Sequence, residues 1–221
     1  MHSVRASRVA SGAFRLIQGA ERPSIRRMSL KLGVLGSGRG SNFVAIADAI
    51  AAGSIDAEVV LVVSDVPGAG ILAEAARRGI PAETLDPGPF RTRLDEAAEQ
   101  RLADRLRAAG VELVVLAGFM RMLKGPMLTA FPGRIINIHP SLLPKHRGLA
   151  AWKQALDAGD RVAGCTVHFV DGGMDTGTVL GQVEVPVLSG DTPESLHARI
   201  QVAEHRLYPE IVARFARGER G

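Results

Sequence analysis

Three stretches of this sequence carry side chains able to do chemistry. The first is Asn137-Ile138-His139-Pro140-Ser141-Leu142-Leu143-Pro144. Asn137 and His139 are two residues apart at the end of the apolar run Arg134 to Ile138, so on an extended strand both point to one side. An amide beside an imidazole can polarise a carbonyl and then stabilise the oxyanion formed when it is attacked. The second stretch is Gly36-Ser37-Gly38-Arg39-Gly40-Ser41-Asn42, which follows another apolar run. A strand, a glycine turn and a helix start present free backbone N–H groups and a helix dipole to an anion. The third is Asp171-Gly172-Gly173-Met174-Asp175-Thr176-Gly177. An aspartate from this loop, if brought against His139, would favour the imidazolium.

Each stretch also has a plainer reading. The glycine loop can be a tight turn with no ligand. It meets the dinucleotide fingerprint only in part, since Ser41 stands where the third glycine belongs, and no Gly-Lys-Ser/Thr follows. Asp65, at the end of the next apolar run, is placed to hold a ribose. A nicotinamide-dependent oxidoreductase and a non-catalytic phosphoribosyl-binding module therefore stay open on these residues alone. His139 can be structural, and Asp171 and Asp175 can be solvated turn caps. Cys165 and His168 share one strand pattern and read as a buried small residue and a half-buried structural histidine. His139, His146, His168, His197 and His205 show no metal-ligand spacing, so no metal is expected.

Short apolar runs alternate with amphipathic stretches. Strands are expected at 31–35, 57–64, 81–85, 113–117, 134–138, 162–170 and 178–187. Helices are expected from Ser41-Asn42, as N-caps, to about Gly53, over 69–78, over 93–109, and from Pro193 onward. Leu94, Ala98, Leu102 and Leu106 make one helix face, and Leu196, Ile200, Ala203, Leu207 and Ile211 another. The alternation argues a single α/β domain built on a mostly parallel, doubly wound sheet.

Among the 221 residues, 46% are hydrophobic and 23% charged, which excludes disorder across the whole chain. The lone cysteine excludes an intramolecular disulfide and points to a reducing, cytoplasmic compartment. No apolar run is long enough to span a membrane. The net charge is +4, yet residues 1–27 carry six Arg against Glu21, leaving −1 for the rest. Nucleic acid is therefore not an expected partner. Residues 1–27 read as a disordered or targeting-like extension, with the domain over 28–221.

Taken together, Leu116-Ala117-Gly118-Phe119-Met120-Arg121, the Asn137–Pro144 segment and the loop ending in Asp175 closely resemble the phosphoribosylglycinamide formyltransferase family of folate-dependent enzymes. The resemblance covers residues 31–217, with Arg147-Gly148 and Thr178 departing from the family pattern. It implies a Rossmann-like fold and transfer of a formyl group from 10-formyltetrahydrofolate to the amine of glycinamide ribonucleotide in purine biosynthesis. The amine would attack directly, through a tetrahedral intermediate. Asn137, His139 and Asp175 would be catalytic. Gly40, Ser41 and Asn42 would hold the phosphate, and Gln201 and Glu204 the rest of the ribonucleotide. Arg93, Met120, Arg121, Met122, Leu123, Asn137 and the loop Asp171, Gly172, Gly173, Met174 and Asp175 would line the folate pocket. Partners would be these two small molecules, with the enzyme a monomer or homodimer. Relatives acting on tRNA add a C-terminal domain and hydrolase relatives an N-terminal one; neither is expected here.

Overall fold

The computed structural model describes residues 29–219. The expectation for residues 1–27 lies outside the described residues. A seven-stranded sheet runs in the order β3-β2-β1-β4-β5-β6-β7. Its strands are β1 (Leu30–Leu35), β2 (Ala57–Ser64), β3 (Ala82–Thr84), β4 (Leu113–Leu116), β5 (Ile135–His139), β6 (Val162–Phe169) and β7 (Val179–Pro186). The pairs from β3 through β5 are parallel, while β6 and β7 are added antiparallel. Parallel strands covered on both faces need near-continuous apolar sequence, and β4 (LVVL) is buried at every position.

Among the described residues six helices cover the sheet: α1 (Ser41–Ala51), α2 (Gly70–Arg77), α3 (Glu96–Ala108), α4 (Gly125–Ala130), α5 (Ala151–Asp157) and α6 (Pro193–Ala216). Two apolar cores result. One packs Phe43, Ile46, Ile71, Ile200 and Tyr208 against one face. The other packs Leu102, Leu106, Met127 and Phe131 against the opposite face. The stripes read from the sequence in α3 and α6 are both buried.

Two helix starts differ from expectation, and two short helices appear that are not expected, each for local reasons. The N-cap of α1 is Gly40 (φ 82°), not Ser41 or Asn42, and no side chain caps that end. A Cβ at Gly40 would stand 2.8 Å from the Ile71 side chain, so glycine is required twice over, by conformation and by space. Helix α3 begins three residues later than expected because Asp95 accepts from the Ala98 amide as its N-cap, which leaves Arg93 outside the helix. The short helices α4 and α5 carry too little periodicity to be read in sequence. The first is six residues opened by Gly125 and Pro126, and the second follows Ala150 at a left-handed φ of 52°.

Candidate active site

The C-terminal ends of β1, β4 and β5 open onto one cavity of about 530 Å³, at the point where strand order reverses beside β1. Asn137 and His139, on the last residues of β5, both line it. Asp175, held at φ 52° in the loop between β6 and β7, turns its carboxylate inward. Its Oδ2 lies 3.4 Å from His139 Nδ1 and accepts from the Gly148 amide at 2.9 Å. Asp175 is thus not a solvated turn cap. Asp171 is one, since its Oδ1 accepts from the Thr176 hydroxyl at 2.6 Å and from the Gly173 amide. These bonds, the hydroxyl first, hold its carboxyl below the usual carboxylate range.

His139 has both ring nitrogens engaged. Its Nε2 lies 2.9 Å from the carbonyl of His146, on a segment with left-handed residues at His146, Gly148 and Ala150.

The antiparallel register of β5 with β6 sets Asn137 opposite His168 and His139 opposite Thr166. His168 is only 2% exposed, not half-buried. Burial lowers its pKa and so disfavours the charged ring. Its Nδ1 donates to the Phe169 carbonyl at 2.7 Å, so Nε2 accepts from Asn137 Nδ2 at 3.2 Å. One N–H of Asn137 is thereby fixed, and the other remains for a ligand. Thr166 Oγ1 donates to the Ser141 carbonyl and accepts from the Leu143 amide, pinning the turn after His139. Neither His168 nor Thr166 stands out in sequence. β6 is buried without a break from Ala163 to His168, so no alternation singles them out, and of the two only His168 lines the cavity.

The uncapped N-terminus of α1 forms another wall, through Gly38, Arg39, Gly40, Ser41 and Asn42. Glu204 from α6 reaches this wall and accepts from Asn42 Nδ2 at 2.9 Å. Burial pushes the Glu204 carboxyl up to about 7, against the pull of that hydrogen bond. Gln201, one turn earlier, also lines the cavity, as do Trp152 and His197, whose rings stack at 3.7 Å between centroids.

The third wall is the segment after β4. Met120, Arg121, Met122 and Leu123 line the cavity, with Met120 57% exposed rather than in the core. Asp171, Gly173 and Met174 face them. Two expected residues do not line the cavity. Arg93 places its guanidinium 3.7 Å over the Phe90 ring while its main chain bridges to Met122. Gly172 sits at the exposed tip of its loop. Asp65 is not free to hold a ribose, because its two oxygens are taken by Ser37 and Arg121. Among the described residues no group of three or more His, Cys, Asp or Glu side chains is arranged to hold a metal ion.

A formyl transferase family model matches residues 30–212. The chain belongs to the formyl transferase family. It is 42% identical over 182 residues to the phosphoribosylglycinamide formyltransferase of Bacillus subtilis (strain 168), covering 82% of this chain and 92% of that protein. It is 46% identical over 190 residues to the trifunctional purine biosynthetic protein adenosine-3 of Drosophila melanogaster, covering 85% of this chain but spanning only 14% of that relative's length. The crystal structure of glycinamide ribonucleotide transformylase 1 from Symbiobacterium toebii shares the fold, with a TM-score of 0.85 at 49% identity over 91% of this chain and 94% of that one. The doubly wound, mostly parallel sheet expected from the sequence is therefore the family's fold. No described helix is long and apolar enough to cross a membrane.

Proposed function

We propose that this formyl transferase family member moves the formyl group of 10-formyltetrahydrofolate to the amine of glycinamide ribonucleotide in purine biosynthesis. The observation that carries this reading is the meeting, in one cavity, of an uncapped helix N-terminus with Asn137, His139 and Asp175. The first suits a phosphate and the second suits attack on a carbonyl. The ribonucleotide phosphate docks on the amides of Gly40, Ser41 and Asn42, and Gln201 and Glu204 hold its ribose and amine. The folate lies along Met120–Leu123, opposite Asp171–Asp175.

The amine attacks the formyl carbon, and the C=O π electrons move to oxygen. The free N–H of Asn137 and a protonated His139 stabilise that oxyanion. To reach it, His139 Nε2 must exchange the carbonyl of His146 for the formyl oxygen. Asp175, against Nδ1, stabilises the positive ring and orders the water that carries the proton from the attacking amine to the leaving folate nitrogen. Collapse then breaks the bond from the formyl carbon to that nitrogen, with no covalent enzyme intermediate and no metal. The co-substrates are small molecules, with neither nucleic acid nor membrane as partner. The site of action is the cytoplasm, the enzyme acting as a monomer or homodimer.

The test is turnover followed by absorbance. Protein is mixed with glycinamide ribonucleotide and 10-formyltetrahydrofolate, and deformylated folate is measured. Release that requires the ribonucleotide is the expected result. Release without it would identify a hydrolase, and none at all would return the site to the binding-module or nicotinamide readings.

A further inference from the structure

The buried carboxylate of Asp65 has no place in the chemistry above, yet it is the centre of a polar network beside the cavity. Asp65 follows β2 and is 5% exposed. Its Oδ1 accepts from the Ser37 hydroxyl at 2.5 Å, and its Oδ2 accepts from Arg121 Nε at 2.7 Å. Ser37 Oγ in turn accepts from the Met120 amide at 2.9 Å, and the Ser37 amide donates to the Gly118 carbonyl at 3.0 Å. Arg121 also donates through Nη1 to the Phe90 carbonyl. Both oxygens of one acid thus fix two consecutive residues of the segment that lines the folate side, one through a side chain and one through its main chain. The acid also ties that segment to the glycine-rich loop on the ribonucleotide side. The pair is nearly dry, with the Asp65 and Arg121 side chains 2% and 16% exposed, and removing one partner leaves the other charge uncompensated.

We infer that Asp65 is a positioning residue for the folate subsite: it presets the main chain of Met120–Leu123 by clamping Arg121 directly and Met120 through Ser37. This inference rests on the assignment of that wall to the folate. A preset main-chain edge lowers the ordering cost of binding, so its loss appears in the folate KM. The α1 N-terminus is held independently, because the Ile71 amide donates to the Gly38 carbonyl and Gly40 packs on Ile71. The ribonucleotide KM is therefore expected to stay within about twofold, against a rise of about tenfold for the folate, the loss of roughly one hydrogen bond's worth of order.

The experiment is steady-state kinetics on the full chain with each substrate varied, for wild type, Asp65→Asn, Asp65→Ala and Ser37→Ala, with Tm measured alongside. Asp65→Asn keeps the size and an acceptor for Ser37 but places no charge against Arg121, so it carries the test if Asp65→Ala fails to fold. A folate KM raised about tenfold in Asp65→Asn, with a smaller rise in Ser37→Ala and an unmoved ribonucleotide KM, is the expected pattern. A folate KM unchanged in Asp65→Asn, or both KM values raised together, would overturn the inference. A wild type that turns over no formyl folate would instead overturn the reading of the site on which it rests.

Discussion

His139 sits where three features meet: a strand end that aims it, a carboxylate 3.4 Å from Nδ1, and a carbonyl 2.9 Å from Nε2 that the proposed mechanism requires it to release. Replacing it with alanine removes an oxyanion donor, which costs about 10²–10³ in kcat with KM little changed. Single-turnover rates check this, and a pure KM effect would remove His139 from the chemistry. Asp175→Asn keeps the shape and the Gly148 bond but not the charge, and should lower kcat in the same sense. Glu204 gives a pH dependence whose sign follows from burial. Its carboxyl is raised to about 7 by burial, so below that pH it is neutral and, on the proposed reading, a weaker partner for the ribonucleotide amine. The kcat/KM for ribonucleotide should climb as pH rises through 7, and Glu204→Gln should flatten that limb. Stability runs the other way. The contribution is complete below the unfolded value, near 4.5, and is lost as pH rises through about 7, because folding must then bury a charge. Thermal denaturation of the unliganded protein at pH 5 and pH 8 would show it, as a pH-dependent difference that Glu204→Gln removes.

At the scale of elements, the site is made by strand ends and by one helix that begins on a glycine. Gly40→Ala puts a Cβ against Ile71 at 2.8 Å in a left-handed conformation. It should cost roughly 1–2 kcal/mol from conformation alone and weaken ribonucleotide binding. Chemical denaturation and a competition assay with inorganic phosphate would measure the two effects. This is also the scale at which the sequence was most and least legible. Buried strands and the stripes of α3 and α6 are written in the apolar pattern, so the order of the strands and of the longer helices is readable directly, while α4 and α5 are not. Asn137 and His139 were legible because two residues on one strand share a face. What placed His168 and Thr166 beside them is the β5–β6 register, a pairing across about thirty residues that no local pattern carries. The role of Asp65 is hidden in the sequence for a related reason. Its position at a strand end suggested a ribose partner, while Ser37 and Arg121, distant in sequence, had already claimed it.

For the whole molecule, activity should not depend on the first 27 residues, so a chain beginning at Met28 is expected to keep its turnover and Tm. Stability is tied together by Tyr208, whose buried hydroxyl in α6 lies 3.0 Å from the carbonyls of both Leu116 and Ile136 in the site-bearing strands. Tyr208→Phe should cost about 1–2 kcal/mol, read as a lower Tm, because it leaves buried acceptors unpaired. The same helix brings Glu204 to Asn42, residues that lie 162 positions apart in the chain. The wall proposed to hold the ribonucleotide is thus assembled from an early and the last of the described elements, α1 and α6. During synthesis on a ribosome, the glycine loop and β1 emerge long before their counterpart exists. Until α6 exists, one face of the sheet lacks the cover of Leu196, Ile200, Leu207 and Tyr208, and the proposed ribonucleotide wall lacks Glu204. On the proposed reading the ribonucleotide seat closes only once α6 has emerged and packed, so capture of ribonucleotide by a nascent chain would report the docking of α6.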